Sequence, residues 1–405
     1  MKYLITRRNA FFAALSFPIF GGQSTNEALN DRVFEAVWEG VRDEFYDPNT
    51  RGVDWLGVKK EFRPRAQACT SREQLLSVLR EMLNRLHNSH IFLYSREEWD
   101  LLQNVLPFCF DRSSGRIFVR YEFQSRTLAT AKQFEFGDEI LSVDGTDAHK
   151  LRPVTLAKLQ EVVGNPNFGP ADSIAEVQIR RRGQIAFVKA RRVARPAGFE
   201  SVVLEHLKPN IALLRMFTLG TKELPAQRLQ QIWNQVRASD GLIIDLRNCV
   251  GGDSKVSNFI AGSLLGGGKQ LFREVPRPGS AKSVSVDYSD PEVPRFSGKV
   301  AILTNSNTES QPEALAAICK EYGCARLIGE RTAGALNGWT IAIGLPDRFA
   351  RFALPYTRGI SPKGFEYEGR GVDPDEKVIN TIEDFRLHRD QIVIEALRYV
   401  TTKQD

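Results

Sequence analysis

The sequence predicts an α/β protein built in three successive parts, and three observations carry that prediction. From residue 211 to 328, short apolar runs alternate with amphipathic stretches, the pattern of a parallel sheet with crossover helices. Before it, residues 104–195 hold short β-like runs, turn signals and one helix. Further upstream, residues 27–86 carry apolar stripes at helical spacing. At 405 residues the chain is too long for one compact core and is expected to divide into two or three domains.

Taken in order, residues 1–25 have the layout of an export signal. Lys2, Arg7 and Arg8 precede an apolar run from Ala10 to Phe20, and small residues follow. Thr6-Arg7-Arg8, followed by Asn9, Ala10 and Phe11, looks like a twin-arginine signal, so an exported protein, periplasmic or secreted, is expected. The apolar run is too short to span a bilayer, and no cysteine follows it to carry a lipid anchor. No other segment is apolar enough, so no stable membrane span is expected.

Residues 27–46 place Val33, Phe34, Val37, Trp38, Val41 and Phe45 on one helical stripe, ended by Asp47-Pro48. Ser71-x-x-Gln74 reads as a capping box opening a second helix, whose core face is Leu75, Leu76, Leu79, Met82, Leu83 and Leu86. Asn88 breaks that helix, and Ile91–Tyr94 continues as a strand, so His90 stands at a helix-to-strand corner. Residues 104–110 read as a loop and first strand, and residues 177–188 as a hairpin about Gly183. The α/β series then runs strand 211–216, helix 224–238, strand 241–246, helix 254–265, strand 299–304, helix 311–322 and strand 325–328. A final helix near 382–400 places Ile392, Val393, Ala396, Leu397 and Val400 on one face.

Composition narrows the function. Apolar residues make up 42% and charged residues 26%, ordinary globular values. Without Lys2, Arg7 and Arg8, and with all 49 acidic residues kept, the charge falls from +6 to +3, too mild for a nucleic-acid partner. The basic runs Arg180–Arg182 and Arg191-Arg192 read as solvated hairpin faces. The five cysteines (69, 109, 249, 319, 324) form no C-x-x-C or His/Cys cluster, so no metal is expected. Their odd number leaves at least one without an internal partner, and Cys319 and Cys324 are close enough to bridge across the helix end at Gly323. Cys249 reads as a small apolar filler beside a glycine pair, not a nucleophile.

The chemistry is concentrated in Asn305–Asn337. An apolar strand runs through a polar turn into a helix that begins near Gln311, and Ser310 sits at the junction. A serine there faces the free N–H groups of a first helical turn and can be presented for attack; standing alone, it would be only the helix N-cap. Ser306 lies too far before the helix to use those groups. Three further pieces accompany Ser310: the buried strand G-L-I-I-D-L-R-N-C-V-G-G (241–252), Ser89-His90 at the end of L-N-R-L-H-N-S-H (83–90), and Glu368 in Y-E-G-R-G-V-D-P-D (367–375). His90 alone reads as a structural histidine and Glu368 alone as a turn residue; the remaining histidines (87, 149, 206, 388) read as surface or satisfied polar groups.

Together these segments resemble the tail-specific (C-terminal processing) protease family, and more closely its tricorn-core branch, over nearly the whole chain after residue 25. Tail-specific proteases proper use a Ser–Lys dyad, with the lysine 25 residues after the serine in G-E-x-T-x-G-K. Here G-E-R-T-A-G-A (329–335) matches the motif but ends in Ala335, which leaves no lysine base at this position. The tricorn-like branch uses a Ser-His pair, a nucleophilic serine and a glutamate 58 positions later, places held here by Ser89-His90, Ser310 and Glu368.

The resemblance implies a ClpP/crotonase-like catalytic core (197–405), an inserted PDZ-like β module (96–196) and an N-terminal helical region carrying Ser89-His90 (26–95). The PDZ-like strand and turn is F-G-D-E-I-L-S-V-D-G (136–145), and the usual Gly-Leu-Gly-Phe loop appears as Leu106-Pro107-Phe108. Pro107 removes one donor to a peptide carboxylate. The implied activity is that of a serine endopeptidase acting on protein or peptide substrates through an acyl-enzyme, with no cofactor and no metal. Ser310 attacks, His90 is the base, Glu368 orients it through Ser89, and N–H groups near Gly251 or Gly252 and of Gln311 hold the oxyanion. Two alternatives stand beside it. A peptide-binding protein without turnover on the same scaffold is suggested by Pro107 and by Glu309-Ser310-Gln311-Pro312, where family members carry small residues. Crotonase-type thioester chemistry lacks a coenzyme-binding motif. The natural substrate and the oligomeric state are not encoded in any motif.

Overall fold

The spacing of apolar side chains changes along this chain, from helical stripes to short strands to unbroken runs, and it sorts the chain into three sets of elements. The computed structural model describes residues 22–123, 132–152, 165–194 and 200–402. The expected export signal lies outside the described residues except for the first turn of helix α1 (Gly22–Glu44).

Helices α1, α2 (Trp55–Gln67) and α3 (Arg72–Asn84) pack their apolar stripes into one core. The apolar stripe of α1 is buried as its periodicity predicts, Val33, Phe34, Val37 and Phe45 being inaccessible to solvent. Ser71 caps α3 by accepting from Gln74 N–H, but Gln74 does not close the box: its Oε1 accepts from Thr70 N–H, one residue upstream of the cap. Helix α2 was not legible, because Gly57 and Pro64 interrupt its pattern; its N-cap Asp54 accepts from Gly57 N–H.

Beyond α3, strand β1 (Phe92–Tyr94) and helix α4 (Arg96–Leu102) lead into a β-rich stretch. That stretch holds β2 (Asn104–Val105), β3 (Phe108–Ser113), β4 (Arg116–Glu122), β5 (Glu139–Val143), β6 (Thr146–Asp147), β7 (Ile174–Arg181), β8 (Gln184–Arg191) and β9 (Val193–Ala194). Strands β7 and β8 form the expected hairpin about Gly183, whose φ of +83° suits glycine. Among the described residues of this stretch the only helical turn is the 3-10 turn Ala148–Lys150.

The remainder begins with β10 (Val202–Lys208), β11 (Ile211–Met216), α5 (Ala226–Val236), β12 (Gly241–Asp245) and α6 (Ser254–Leu265). It continues through β13 (Gln270–Pro276), β14 (Ser285–Tyr288), β15 (Lys299–Thr304), α7 (Gln311–Tyr322) and β16 (Arg326–Gly329). Strands β17 (Thr340–Ile343), β18 (Arg351–Pro355), β19 (Thr357–Ile360) and β20 (Glu376–Lys377) precede helices α8 (Ile382–Arg386) and α9 (Gln391–Thr401). The principal sheet has the order β10-β11-β12-β15-β16-β20, parallel throughout except for β10. Helices α5, α6 and α7 cover one face, and α9 covers the other through Ile392, Ala396 and Val400. The helix expected over 382–400 is two helices, because His388 takes a positive φ and Asp390 caps α9 afresh. The bridge proposed for Cys319 and Cys324 does not form; none of the five cysteines makes a disulfide.

A smaller sheet, β1-β18-β17, joins the N-terminal helices to the principal half. A second junction is ionic. Arg247, just after β12, donates four hydrogen bonds to the carboxylates of Asp245 and Asp390 at 2.8–3.0 Å. Arg120 of β4 donates to the Arg247 carbonyl (2.9 Å), and Arg215 of β11 to Asp245 (2.8 Å). Burial pushes the Asp245 carboxyl upward, but the three guanidiniums outweigh it and hold the group far below the usual carboxylate range. The β-rich stretch is thereby anchored at the end of β12.

Candidate active site

Strands β12 and β15 are parallel neighbours, so the loops leaving their carboxyl ends emerge side by side, the usual place for a site in an open α/β sheet. After β15 the chain turns sharply. Thr308 Oγ1 accepts from Asn305 N–H (3.1 Å) and donates to the Leu246 carbonyl (3.0 Å). Glu309 N–H donates to the Cys249 carbonyl (3.1 Å), which sets the 249–252 loop against the residue preceding Ser310. Ser310 itself has φ +59° and ψ −125°, a conformation costly for a residue with a Cβ. It is the positional N-cap of α7, yet its hydroxyl makes no capping hydrogen bond. The hydroxyl lies instead 3.4 Å from His90 Nε2.

His90 is supported from behind. After α3 the chain turns at His87 (φ +46°), and Asn88 Oδ1 accepts from His90 N–H (2.9 Å). Ser89 and His90 therefore sit in a turn and not on a strand, where consecutive side chains would point to opposite faces. Ser89 Oγ lies 2.7 Å from His90 Nδ1 and donates to Glu368 Oε2 at 2.7 Å, while Ser89 N–H donates to Glu368 Oε1 at 2.8 Å. The direction of the protons follows. With its own hydrogen committed to the carboxylate, Ser89 Oγ accepts from Nδ1–H, which leaves Nε2 bare toward Ser310. Burial lowers the His90 imidazole to about 4, so it is neutral at ordinary pH. Burial raises Glu368, against the two Ser89 hydrogen bonds and Arg51, whose guanidinium lies 3.8 Å from Oε1.

The four predicted catalytic positions thus meet in one chain of contacts drawn from three distant segments. Ser306 is exposed, as are His87, His149, His206 and His388. Gly251 and Gly252 lie in the loop beside Glu309, and Gln311 is the first residue of α7, its side chain held by Ser257 Oγ (2.9 Å). Among the described residues the N–H groups of Gly251, Gly252 and Gln311 have no hydrogen-bond acceptor. The glycine at 252 has a packing reason of its own: a Cβ there would meet the Leu219 backbone at 2.2 Å.

Sequence reasoning missed Glu313. Ser310-x-x-Glu313 reads as a capping box, but neither half forms. The buried Glu313 carboxylate accepts from Thr332 Oγ1, from Gly334 N–H (2.7 Å) and from Ala335 N–H (3.0 Å). This fixes the 332–335 loop, whose Ala335 carbonyl accepts from Ser310 N–H (3.0 Å) and whose Gly334 carbonyl accepts from Gly369 N–H (2.7 Å). One carboxylate therefore ties the serine's backbone to the loop that carries Glu368. Burial raises Glu313 to about 7 against these three donors. Ala335, in the place of the lysine, is fully buried one hydrogen bond from Ser310.

Residues 210–378 match peptidase family S41, and residues 30–84 match the tricorn protease C1 domain. Over residues 210–378 the chain carries a peptidase family S41 domain. It is similar to tricorn protease homolog 1 of Streptomyces coelicolor, 24% identical over 396 residues, covering 90% of this chain and 34% of that protein. It is also similar to the carboxyl-terminal-processing protease of Picosynechococcus, 24% identical, covering 89% of this chain and 86% of that one. The chain spans about a third of the length of the tricorn relatives it matches. Among solved structures it shares the fold of the photosystem II D1 C-terminal processing protease, with a TM-score of 0.58 at 19% identity, covering 92% of this chain and 98% of that one.

Proposed function

We propose that this chain, with its S41 domain, is an exported serine endopeptidase working through a Ser310/His90/Ser89/Glu368 tetrad. The observation that carries the reading is the Ser310 hydroxyl, withheld from capping and facing a bare, buried imidazole nitrogen. His90 Nε2 takes the hydroxyl proton as Ser310 Oγ bonds to a peptide carbonyl carbon, and the same proton then passes to the leaving amine. Water, deprotonated by His90, releases the acyl group. Glu368, through Ser89, holds the imidazole tautomer and stabilises the cation formed in each transition state. The 3.4 Å gap to the serine is of the kind that closes on substrate binding. The N–H groups of Gly251 or Gly252 and of Gln311 face the developing oxyanion; loss of one such donor costs about 3 kcal/mol in barrier.

The proposal extends to organisation. Residues 1–25 act as an export signal, 26–95 supply Ser89-His90, 96–196 form a PDZ-like module and 197–405 a ClpP/crotonase-like core. Substrates are proteins or peptides, and the names of the carboxyl-terminal-processing relatives favour cleavage near chain ends. Among the described residues no helix is long and apolar enough to cross a membrane.

The test is fluorophosphonate labelling of the full chain combined with casein cleavage. Wild type should be labelled on Ser310 and should cleave, and Ser310→Ala should do neither while melting like wild type. Measurable peptide affinity without any adduct on Ser310 would replace the peptidase by a peptide-binding protein on the same scaffold.

A further inference from the structure

The sheet β1-β18-β17 has two unlike faces. Leu93, Phe352 and Ile343 form one row across it, directed into the core with α1–α3. The next rows point the opposite way: Phe92, Ala353 and Ala342 align in one, and Tyr94 pairs with Arg351 in the other. These outward residues, together with Ile343, Leu345 and Phe352, line a cavity of about 530 Å3, within the usual range for a ligand site. Its floor is small, Ala342, Ala353 and Gly344, and its wall is aromatic, Phe92, Tyr94 and Trp99. Small residues under an aromatic wall leave a slot for an apolar side chain.

No tetrad residue lines the slot, but a row of rings links the two, since Phe92 of its wall is the ring neighbour of His90. Ring centroids step from His90 to Phe92 (6.0 Å), Phe92 to Tyr94 (6.3 Å) and Tyr94 to Trp99 (6.2 Å), so the aromatic wall begins at the imidazole and runs away from it. Positive charge borders the lining. Arg351 stacks its guanidinium 4.7 Å over the Trp99 ring, and Arg348 also lines the cavity. Neither arginine has a carboxylate partner among the described residues, whereas most arginines here are paired.

We infer that this cavity is a specificity subsite that receives an apolar side chain, leucine- to phenylalanine-sized, of an extended substrate peptide, with a carboxylate of that peptide placed at Arg348 and Arg351. The inference rests on the peptidase reading for its position beside the scissile bond. The carboxylate belongs either to the chain end or to an Asp or Glu side chain, and both satisfy the same guanidiniums.

The experiment uses the full chain and quenched fluorescent peptides scanned with Leu, Phe or Ser at each position, each made as free acid and as amide. Rates are divided by the active-site titre from fluorophosphonate labelling. In wild type, one position should prefer Leu or Phe over Ser by about tenfold or more in kcat/KM, as burial of such a side chain allows. Ala342→Trp, which fills the slot from an exposed position, should collapse that ratio to near one. Arg351→Glu should erase the advantage of the acid, and the acid–amide pairs distinguish a chain end from an acidic side chain. A wild-type scan without apolar preference, or an Ala342→Trp enzyme that keeps it, overturns the inference. If wild type is neither labelled nor cleaves, the peptidase reading fails separately. The subsite is then judged by anisotropy of the labelled Leu and Ser peptides on the Ser310→Ala protein, where equal affinities, or binding unchanged by Ala342→Trp, would overturn it. A change only in oligomeric state on filling the slot would mean that a second copy covers it, and also overturns the inference.

Discussion

Two buried polar clusters lie at the carboxyl ends of adjacent strands, and they are finished differently. Beside β12, Arg247 donates four hydrogen bonds to two carboxylates, and the surrounding charges, Arg120, Arg215 and Arg247 against Asp111, Asp245 and Asp390, balance. Beside β15, Glu368, Ser89 and His90 are joined at 2.7–2.8 Å, but the last link to Ser310 is 3.4 Å. The first cluster is closed and holds parts together. The second has slack at one end only, at the hydroxyl that a substrate would meet. Tight contacts behind and a loose one in front are the arrangement the proposed proton transfer requires.

The largest effect that would break this contrast is chemical. Ser310→Ala should lower kcat by about 10⁴-fold or more, because nucleophile and base act as a unit. It should leave the melting temperature unchanged or slightly raised, since the residue at φ +59° is strained whatever its side chain. Wild-type rates in that variant would remove the open cluster from the chemistry. At the closed cluster the effect is on folding: Arg247→Leu takes the shared partner from the buried Asp245 and the half-buried Asp390 and should cost about 3 kcal/mol in a denaturant titration. A loss below 1 kcal/mol would mean the network is not what holds the end of β12.

A smaller change sharpens the comparison from inside the open cluster. Glu368→Gln keeps the size of the side chain but removes the charge that Ser89 conveys to His90. It should lower kcat by about 10²- to 10³-fold with little change in KM, because the carboxyl acts on the imidazole and not on the substrate. An equal loss in both parameters would place Glu368 in substrate binding.

What the sequence made legible follows the same division. The alternating series from 211 to 328 was readable because strands buried on both faces are unbroken apolar runs, as in Leu242–Ile244 and Ala301–Leu303. Strands β13, β14 and β17–β19 were not, since each mixes polar or charged residues with apolar ones. The tetrad positions came from motif spacing, and nothing in periodicity could bring residue 90 within reach of 310 and 368. Glu313 and Arg51 were invisible for a related reason: each acts across the fold, on a loop far away in the chain. The one available signal was an S-x-x-E pattern at Ser310, which local rules assign to capping and which tertiary contacts override.

The smallest prediction concerns pH, and it sets His90 of the open cluster against Glu313, which holds the loop beside it. His90 is held at about 4 when folded, against about 6.5 for a free imidazole, so between these values the unfolded chain binds the extra proton and stability rises with pH. Glu313 is raised to about 7 from an ordinary 4.5, so across that window the folded chain keeps the proton and stability falls with pH. Glu368, also raised by burial, adds to the falling side. Each linkage is on the order of 3 kcal/mol at most, and in wild type they largely cancel between pH 4.5 and 6.5. Removing one should uncover the other. His90→Ala should become less stable relative to wild type as pH rises from 4 to 6.5, and Glu313→Gln should become more stable relative to wild type from 4.5 to 7, both read as differences in unfolding free energy. The same lowered imidazole should carry the acidic limb of kcat/KM below pH 6.5, toward 4. Difference curves that run flat for both variants would mean that neither group is held away from its solution value by its burial.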